Sequence, residues 1–226
     1  MSERHLLLAE AARPRRARAA DAPQLARLMA AAFAADPVID WIARQGPQRP
    51  HGLLRFFHDL LAMRAIPLGE VWTTVSGGAV VVWLPPGSTP GSTLASGGLA
   101  EQLRLLVVFL RLCGIPRLLR GQAVAEAMER HHPYGPHYHL AFIAVAPRLQ
   151  GLGLGSALLE ATLARIDETG SAAYLQNSNP RNTRLYERAG FASRGNIAPR
   201  HAPPLLSMWR EGRTRLAGYD SSSLSQ

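Results

Sequence analysis

The stretch VAPRLQGLGLGSALLEATL, Val145 to Leu163, carries glycine at every second position, Gly151, Gly153 and Gly155, after an apolar run and before a helical pattern. A strand that turns directly into a helix leaves free backbone N–H groups at the helix N-terminus, and the helix dipole adds a partial positive charge there. Glycine removes the Cβ atoms that would hold a phosphate away and permits positive φ. Residues Gln150 to Ser156 therefore suit a loop that wraps a phosphate or pyrophosphate, with the Ser156 hydroxyl as an added donor. A tight strand-to-helix turn without a ligand uses glycine in the same way, so the triplet alone leaves both readings open.

Two phosphate-loop patterns are tested by the flanking residues. A nucleoside triphosphate loop ends in Gly-Lys-Ser/Thr; this one has Gly155-Ser156 and no lysine, which argues against triphosphate hydrolysis. A dinucleotide fingerprint needs G-x-G-x-x-G, and its third place here is Ser156. What the segment does contain is Q-x-x-G-x-G from Gln150, preceded by V-x-P from Val145. That resembles the acetyl-coenzyme A loop of the GNAT superfamily of N-acetyltransferases. Further on, NPRNTRLYERAGF, Asn179 to Phe191, resembles the superfamily's second signature, N-x-x-x-x-x-x-Y-x-x-x-G-F. The stretches ADAPQLARLMAAAFAADPVIDWI and HPYGPHYHLAFIAVAPRLQGLGLGSALL are similar to the puromycin N-acetyltransferase-like branch, over a span from Arg15 to Phe191.

The resemblance implies an α/β fold with a mixed, mostly antiparallel sheet flanked by helices. Two parallel strands, 138–145 and 173–176, splay apart to hold acetyl-CoA as co-substrate. It implies cofactor contacts from Ile143, Ala144 and Val145, a pyrophosphate on Gln150, Gly151, Leu152, Gly153, Leu154, Gly155 and Ser156, and further contacts from Asn179 and Asn182. Tyr186 falls at the family's general acid, which protonates the departing thiolate. The implied reaction is direct attack by a primary amine of a small molecule or peptide in a ternary complex, with no metal. Where the puromycin-like branch has a glutamate, this chain has Gln176, in Leu175-Gln176-Asn177-Ser178, and an amide is no general base. A base is sought instead among His132, His137 and His139. A neutral imidazole has a suitable pKa, and by strand alternation His139 shares a face with Ala141 and Ile143, so His139 is the candidate. The missing glutamate also supports a second reading, a catalytically idle acyl-CoA-binding regulatory module.

The elements that must position these residues follow from periodicity. A disordered lead-in over 1–14 precedes a short strand and a helix with Asp21 as N-cap and Pro23 in its first turn. Helices follow near 38–44 and 53–63. A hairpin turns at Ser76-Gly77-Gly78, and a Gly/Ser-rich loop leads into a helical insertion over about 88–130, broken at Gly114-Ile115-Pro116. The central strand, the glycine-loop helix, a further strand, a helix from Pro180 and two closing strands complete a single domain over 15–210, with 211–226 as a disordered tail.

The composition allows a substantial core, with 47% apolar residues, and carries a net charge of +9 in which every one of the 25 basic side chains is arginine. Biased genome composition or an anionic partner would each produce this, but no basic run interleaved with aromatics supports nucleic-acid binding. The single cysteine, Cys113, excludes an intrachain disulfide. Arg104, Arg111 and Pro116 interrupt the longest apolar stretch, so no membrane span is expected, and the chain reads as cytoplasmic. The resemblance leaves a homodimer open.

Overall fold

The computed structural model describes residues 2–88 and 99–213. In chain order the elements are α1 (Glu3–Ala12), β1 (Arg15–Arg16), α2 (Ala22–Ala32), α3 (Pro37–Ile42), α4 (Arg49–Leu60), β2 (Val71–Thr73), β3 (Ala79–Leu84), α5 (Leu99–Cys113), α6 (Leu118–Arg130), β4 (His137–Val145), α7 (Leu154–Glu168), β5 (Ala172–Asn177), α8 (Thr183–Arg188), β6 (Ala192–Ile197) and β7 (Leu205–Arg210). The strands form one seven-stranded sheet in the order β1-β2-β3-β4-β5-β7-β6. Every neighbouring pair is antiparallel except β4 and β5, which run parallel because α7 crosses over between them. This is the mixed, mostly antiparallel architecture expected from the sequence.

All six residues of β3 are buried, which fits a central strand covered on both faces. Val80 and Val82 point to a core shared with α2 and α4, among Leu25, Met29, Phe57 and Leu61. Val81 and Trp83 point to a second core with α7, among Leu154, Leu158, Leu159 and Leu163. Fully burying one such leucine is worth about 2 kcal/mol, so α7 and the glycine loop that starts it are firmly anchored to the sheet.

Between β3 and β4 the register slips. Val82 faces Phe142 while Trp83 faces Leu140, leaving Ala141 as the extra residue of a β-bulge. The bulge resets the alternation of β4. Phe142 joins the α2/α4 core, where its ring meets Phe33 at 5.5 Å and Phe57 at 5.6 Å. Ile143 and Val145 turn to the α7 side. His139 and Ile143 therefore lie on opposite faces, contrary to the simple alternation read from sequence.

The lead-in also differs from its expectation as a disordered segment. Residues 3–12 form α1, which packs on α7 with Leu7 and Leu8 against the second core and Ala11 fully buried in it. The helix formers in HLLLAEAA supply the propensity, and docking supplies the stability that a helix this short lacks alone. Arg4 donates to the Leu152 carbonyl at 3.4 Å, and Glu10 accepts from the Ser76 N–H at 3.1 Å. Asp21 does not cap α2. Its carboxylate accepts both Arg15 guanidinium N–H groups, at 2.7 and 2.8 Å, and the Arg18 N–H, and the Arg15 hydrogen bond lowers its pKa to about 2. The insertion is helical where it is described, as α5 and α6 joined at Gly114; the Gly/Ser-rich loop from 89 to 98 and the tail from 214 lie outside the described residues. No helix among the described residues is long and apolar enough to cross a membrane.

Because Ala11 is 0% exposed, Ala11→Asp places an unpartnered carboxylate in the core and is expected to cost about 3 kcal/mol. Urea unfolding measures this; a lead-in that contributed nothing would leave the midpoint unchanged.

Candidate active site

Strands β4 and β5 pair from His137/Ala172 to Leu140/Leu175 and then part. Beyond that point β4 continues against β3 as far as Val145/Ala79, and β5 continues against β7 as far as Asn177/Leu206. The edges from Ala141 and from Gln176 onward thus face a wedge instead of each other. A cleft of about 560 Å³ opens there. Its walls gather the ends of β4 and α2, the glycine loop and the segment leading into α8.

Most of the residues singled out in the sequence converge on this cleft. Ile143, Ala144, Val145, Gln150, Gly151, Gly153, Leu154, Gly155, Ser156, Asn179 and Asn182 all line it. Leu152 stands outside the lining, as does Tyr186. The loop is left-handed at Gly151 (φ 78°) and Gly153 (φ 94°), a conformation that side-chain-bearing residues rarely adopt. A Cβ on Gly151 would meet nothing within 4 Å, so the glycine there answers to backbone shape and open space, not to protein packing. Gly153 is the N-cap of α7 with no side-chain cap. The N–H groups from Gly151 to Ser156 have no acceptor among the described residues. A run of orphan donors at the start of a 15-residue helix forms a cradle for a diphosphate-sized anion. Gln150 folds back to donate to the Val145 carbonyl at 3.1 Å and fixes the loop to the strand end.

The opposite wall has its own built-in polarity. Asn179 caps the turn before α8, accepting from the Arg181 N–H at 3.1 Å, and Asn177 accepts from the Asn179 N–H at 3.1 Å. Asp36 is the N-cap of α3. One oxygen accepts the Val38 and Ile39 N–H groups, both at 3.0 Å. The other accepts the Ser178 hydroxyl. Asp36 is buried yet lines the cleft, so the carboxylate–hydroxyl pair joins the end of α2 to the end of β5. The signal that could have found it was the Asp36-Pro37 pair, a helix start as well as a stop.

Tyr186 lies behind the cleft wall, edge-on to Phe191 at 6.2 Å. Its hydroxyl has no hydrogen-bond partner among the described residues. Burial, and then the charge of Asp36, raise its pKa well above the ordinary value, so the phenol keeps its proton through the neutral range.

His139 is placed elsewhere. It is 2% exposed and does not line the cleft. His132, His137 and His139 instead form a closed cluster around Tyr174, with His132 Nε2 and His139 Nδ1 3.3 Å apart. Burial, reinforced by the neighbouring imidazoles, lowers the His139 pKa to about 3. A group so weakly basic and turned off the cleft face is no proton acceptor there. Gln176 donates to the Met128 carbonyl at 3.0 Å and is also outside the lining. Cys113 is buried, and that burial pushes its thiol up to about 12. No metal-holding cluster is found among the described residues.

Comparison with known proteins supports the geometry. The acetyltransferase (GNAT) family model matches residues 111–191, from the end of α5 through the cleft to Phe191. An acetyltransferase from Corynebacterium glutamicum related to the histone acetyltransferase HPA2 is 24% identical, with a TM-score of 0.67, over 90% of this chain and 97% of its own. A mutant agmatine N-acetyltransferase in its apo form is 18% identical with a TM-score of 0.58, over 88% of this chain and 98% of its own. The C-terminal condensation domain of Ebony, bound to β-alanyl-dopamine, is 11% identical with a TM-score of 0.59, over 88% and 97%. The fold is that of the GNAT acetyltransferases. The cleft lies where β4 and β5 part, the place at which the sequence resemblance led us to expect a wedge.

A neutral, buried His139 makes stability depend on pH. The unfolded chain binds a proton near pH 6.5 that the folded chain refuses until about pH 3, so stability is full above 6.5 and is lost as pH falls through that window. Between pH 7 and pH 4.5 the loss from His139 is expected to be about 2 kcal/mol. His139→Phe should flatten this slope in urea titrations at the two pH values, whereas an unchanged slope would place the titration elsewhere.

Proposed function

We propose that the chain is a GNAT-family N-acetyltransferase that transfers the acetyl group of acetyl-CoA to a primary amine. The observation that carries this reading is the row of unpartnered N–H groups from Gly151 to Ser156, at the mouth of a cleft formed by two parting parallel strands. Such a cradle fits a pyrophosphate, and the free edge of β4 at Ile143 to Val145 fits the amide groups of a pantetheine arm. Acetyl-CoA supplies a thioester whose carbonyl carbon accepts the amine nitrogen, forming C–N and breaking C–S.

In this reading the chain contributes three things. The backbone around Ile143 orients and polarises the thioester carbonyl. Asp36, which lines the cleft and is held by the Ser178 hydroxyl, receives the proton that the attacking amine gives up; it takes the place first assigned to His139. Tyr186, held protonated by burial, returns a proton to the departing sulfur. The names of the structural neighbours, one for agmatine and one bound to β-alanyl-dopamine, support an amine acceptor. The puromycin-like stretches suggest the branch, but Gln176 stands where that branch has its glutamate, and its amide is tied to Met128. This favours an acceptor other than an antibiotic of that kind.

Gly155 is the place to test the cradle, because its φ is not left-handed and a Cβ there would meet Val145 at an ordinary 3.5 Å. Gly155→Trp should fold normally and lose acetyl-CoA binding in calorimetry. Failure of the wild-type protein to bind acetyl-CoA would end the acetyltransferase reading. With binding in place, Tyr186→Phe is expected to lower kcat by roughly a hundredfold with little change in acetyl-CoA affinity. Ser178→Ala and Asp36→Asn should lower kcat in the thiol-release assay with little change in acetyl-CoA affinity. Full acetyl-CoA binding without acetylation of any amine in a thiol-release screen would instead favour the idle acyl-CoA-binding module.

A further inference from the structure

A second cavity, of about 720 Å³, lies among α2, α4 and α5, away from the residues that line the acetyl-CoA cleft. Four arginines, Arg27, Arg44, Arg55 and Arg111, and two histidines, His51 and His58, line it, and no acidic side chain does among the described residues. Gly52 forms part of its wall and lets α4 approach the α5 backbone, where a Cβ would meet the Arg111 carbonyl at 3.0 Å. The nearby acids are engaged with other groups. Asp59 is fully buried and accepts from Arg55 Nε at 3.0 Å and meets His58 Nδ1 at 2.9 Å. Asp40 pairs with Arg49. Arg27, Arg44 and Arg111 have no carboxylate within 4.0 Å among the described residues.

An arginine-rich composition explains guanidiniums scattered over a surface. It does not explain their convergence from separate elements on one concavity in which, among the described residues, only Arg55 and His58 meet a carboxylate, that of Asp59. Guanidinium presents a planar fork that matches phosphate and carboxylate oxygens two at a time. A volume of this order is that of a small-molecule site, and its walls are helices on three sides, unlike the extended stripe that tracks a nucleic-acid backbone. From the convergence of Arg27, Arg44 and Arg111, none with a carboxylate partner among the described residues, on this cavity beside Arg55, we propose that it is a second binding site, for a small polyanion carrying two or more phosphate or carboxylate groups. The inference does not depend on acetyl transfer.

Calorimetry at low ionic strength with inorganic tripolyphosphate, and separately with citrate, tests the site and distinguishes the two anion chemistries. Binding of either probe is expected, weakened at least tenfold in the double variant Arg27→Gln, Arg111→Gln. Both side chains are exposed, and glutamine keeps much of the stem, so thermal melting should be unchanged and the loss attributable to charge. Gly155→Trp, which fills the pyrophosphate cradle, should leave this binding in place. Binding that disappears in Gly155→Trp but survives in the arginine variant would overturn the proposal, because the anion would then occupy the glycine loop. Failure of both probes to bind the wild-type protein would overturn it too. So would binding of duplex DNA, reduced in the arginine variant, without binding of either small anion.

Discussion

The structure turns on the parting of two parallel strands. Backbone N–H and C=O groups in a protein interior must find partners, so a central sheet cannot simply open. Here it opens because each strand keeps its outer neighbour, β3 for β4 and β7 for β5, so that only the two inner edges are released. The glycine loop sits at the end of one released edge, and the Asn177 to Asn182 turn sits at the end of the other. The orphan donors of α7 are a consequence of the same geometry: a helix that must cross from β4 to β5 begins at the lip of the wedge with its first amides aimed at open space.

The bulge at Ala141 decides which side chains flank that wedge. By adding one residue to β4 it sends Phe142 into the α2/α4 core, where Phe33 and Phe57 hold it. This ties the end of α2 to the sheet and brings Asp36 beside Ser178. The same extra residue separates His139 from Ile143. His137 and His139 then sit buried among aromatic rings, where the neutral form is favoured, while the carboxylate sits at the cleft with three donors around it. Both groups are buried, and the difference between them is position: Asp36 lines the cleft and His139 does not.

The positive charge is arranged differently at the two cavities. The cleft offers backbone dipoles at the glycine loop, which tolerate changes of side chain. The second cavity presents guanidiniums from three helices and a loop, and its chemistry depends on side chains alone. A net charge of +9 could not distinguish these, since charge summed over a chain carries no information about where its members meet.

The residue pattern determined the order of elements, the hairpin, the two closing strands and the glycine loop, because each rests on local rules: periodicity, turn chemistry and the conformational freedom of glycine. The family resemblance implied that Ile143 to Val145, the loop from Gln150 to Ser156, Asn179 and Asn182 share one site, and all of these but Leu152 line the cleft. Tertiary structure alone decided the rest. The lead-in became α1 because α7 offered Ala11 and Leu8 a surface to bury against, which no local signal reveals. Asp36 met Ser178 across 142 residues of sequence, and His139 left the cleft face through one unpaired residue in a strand. Contacts between distant segments, and register shifts that depend on a neighbouring strand, are properties of packing. A sequence specifies them only through the whole fold.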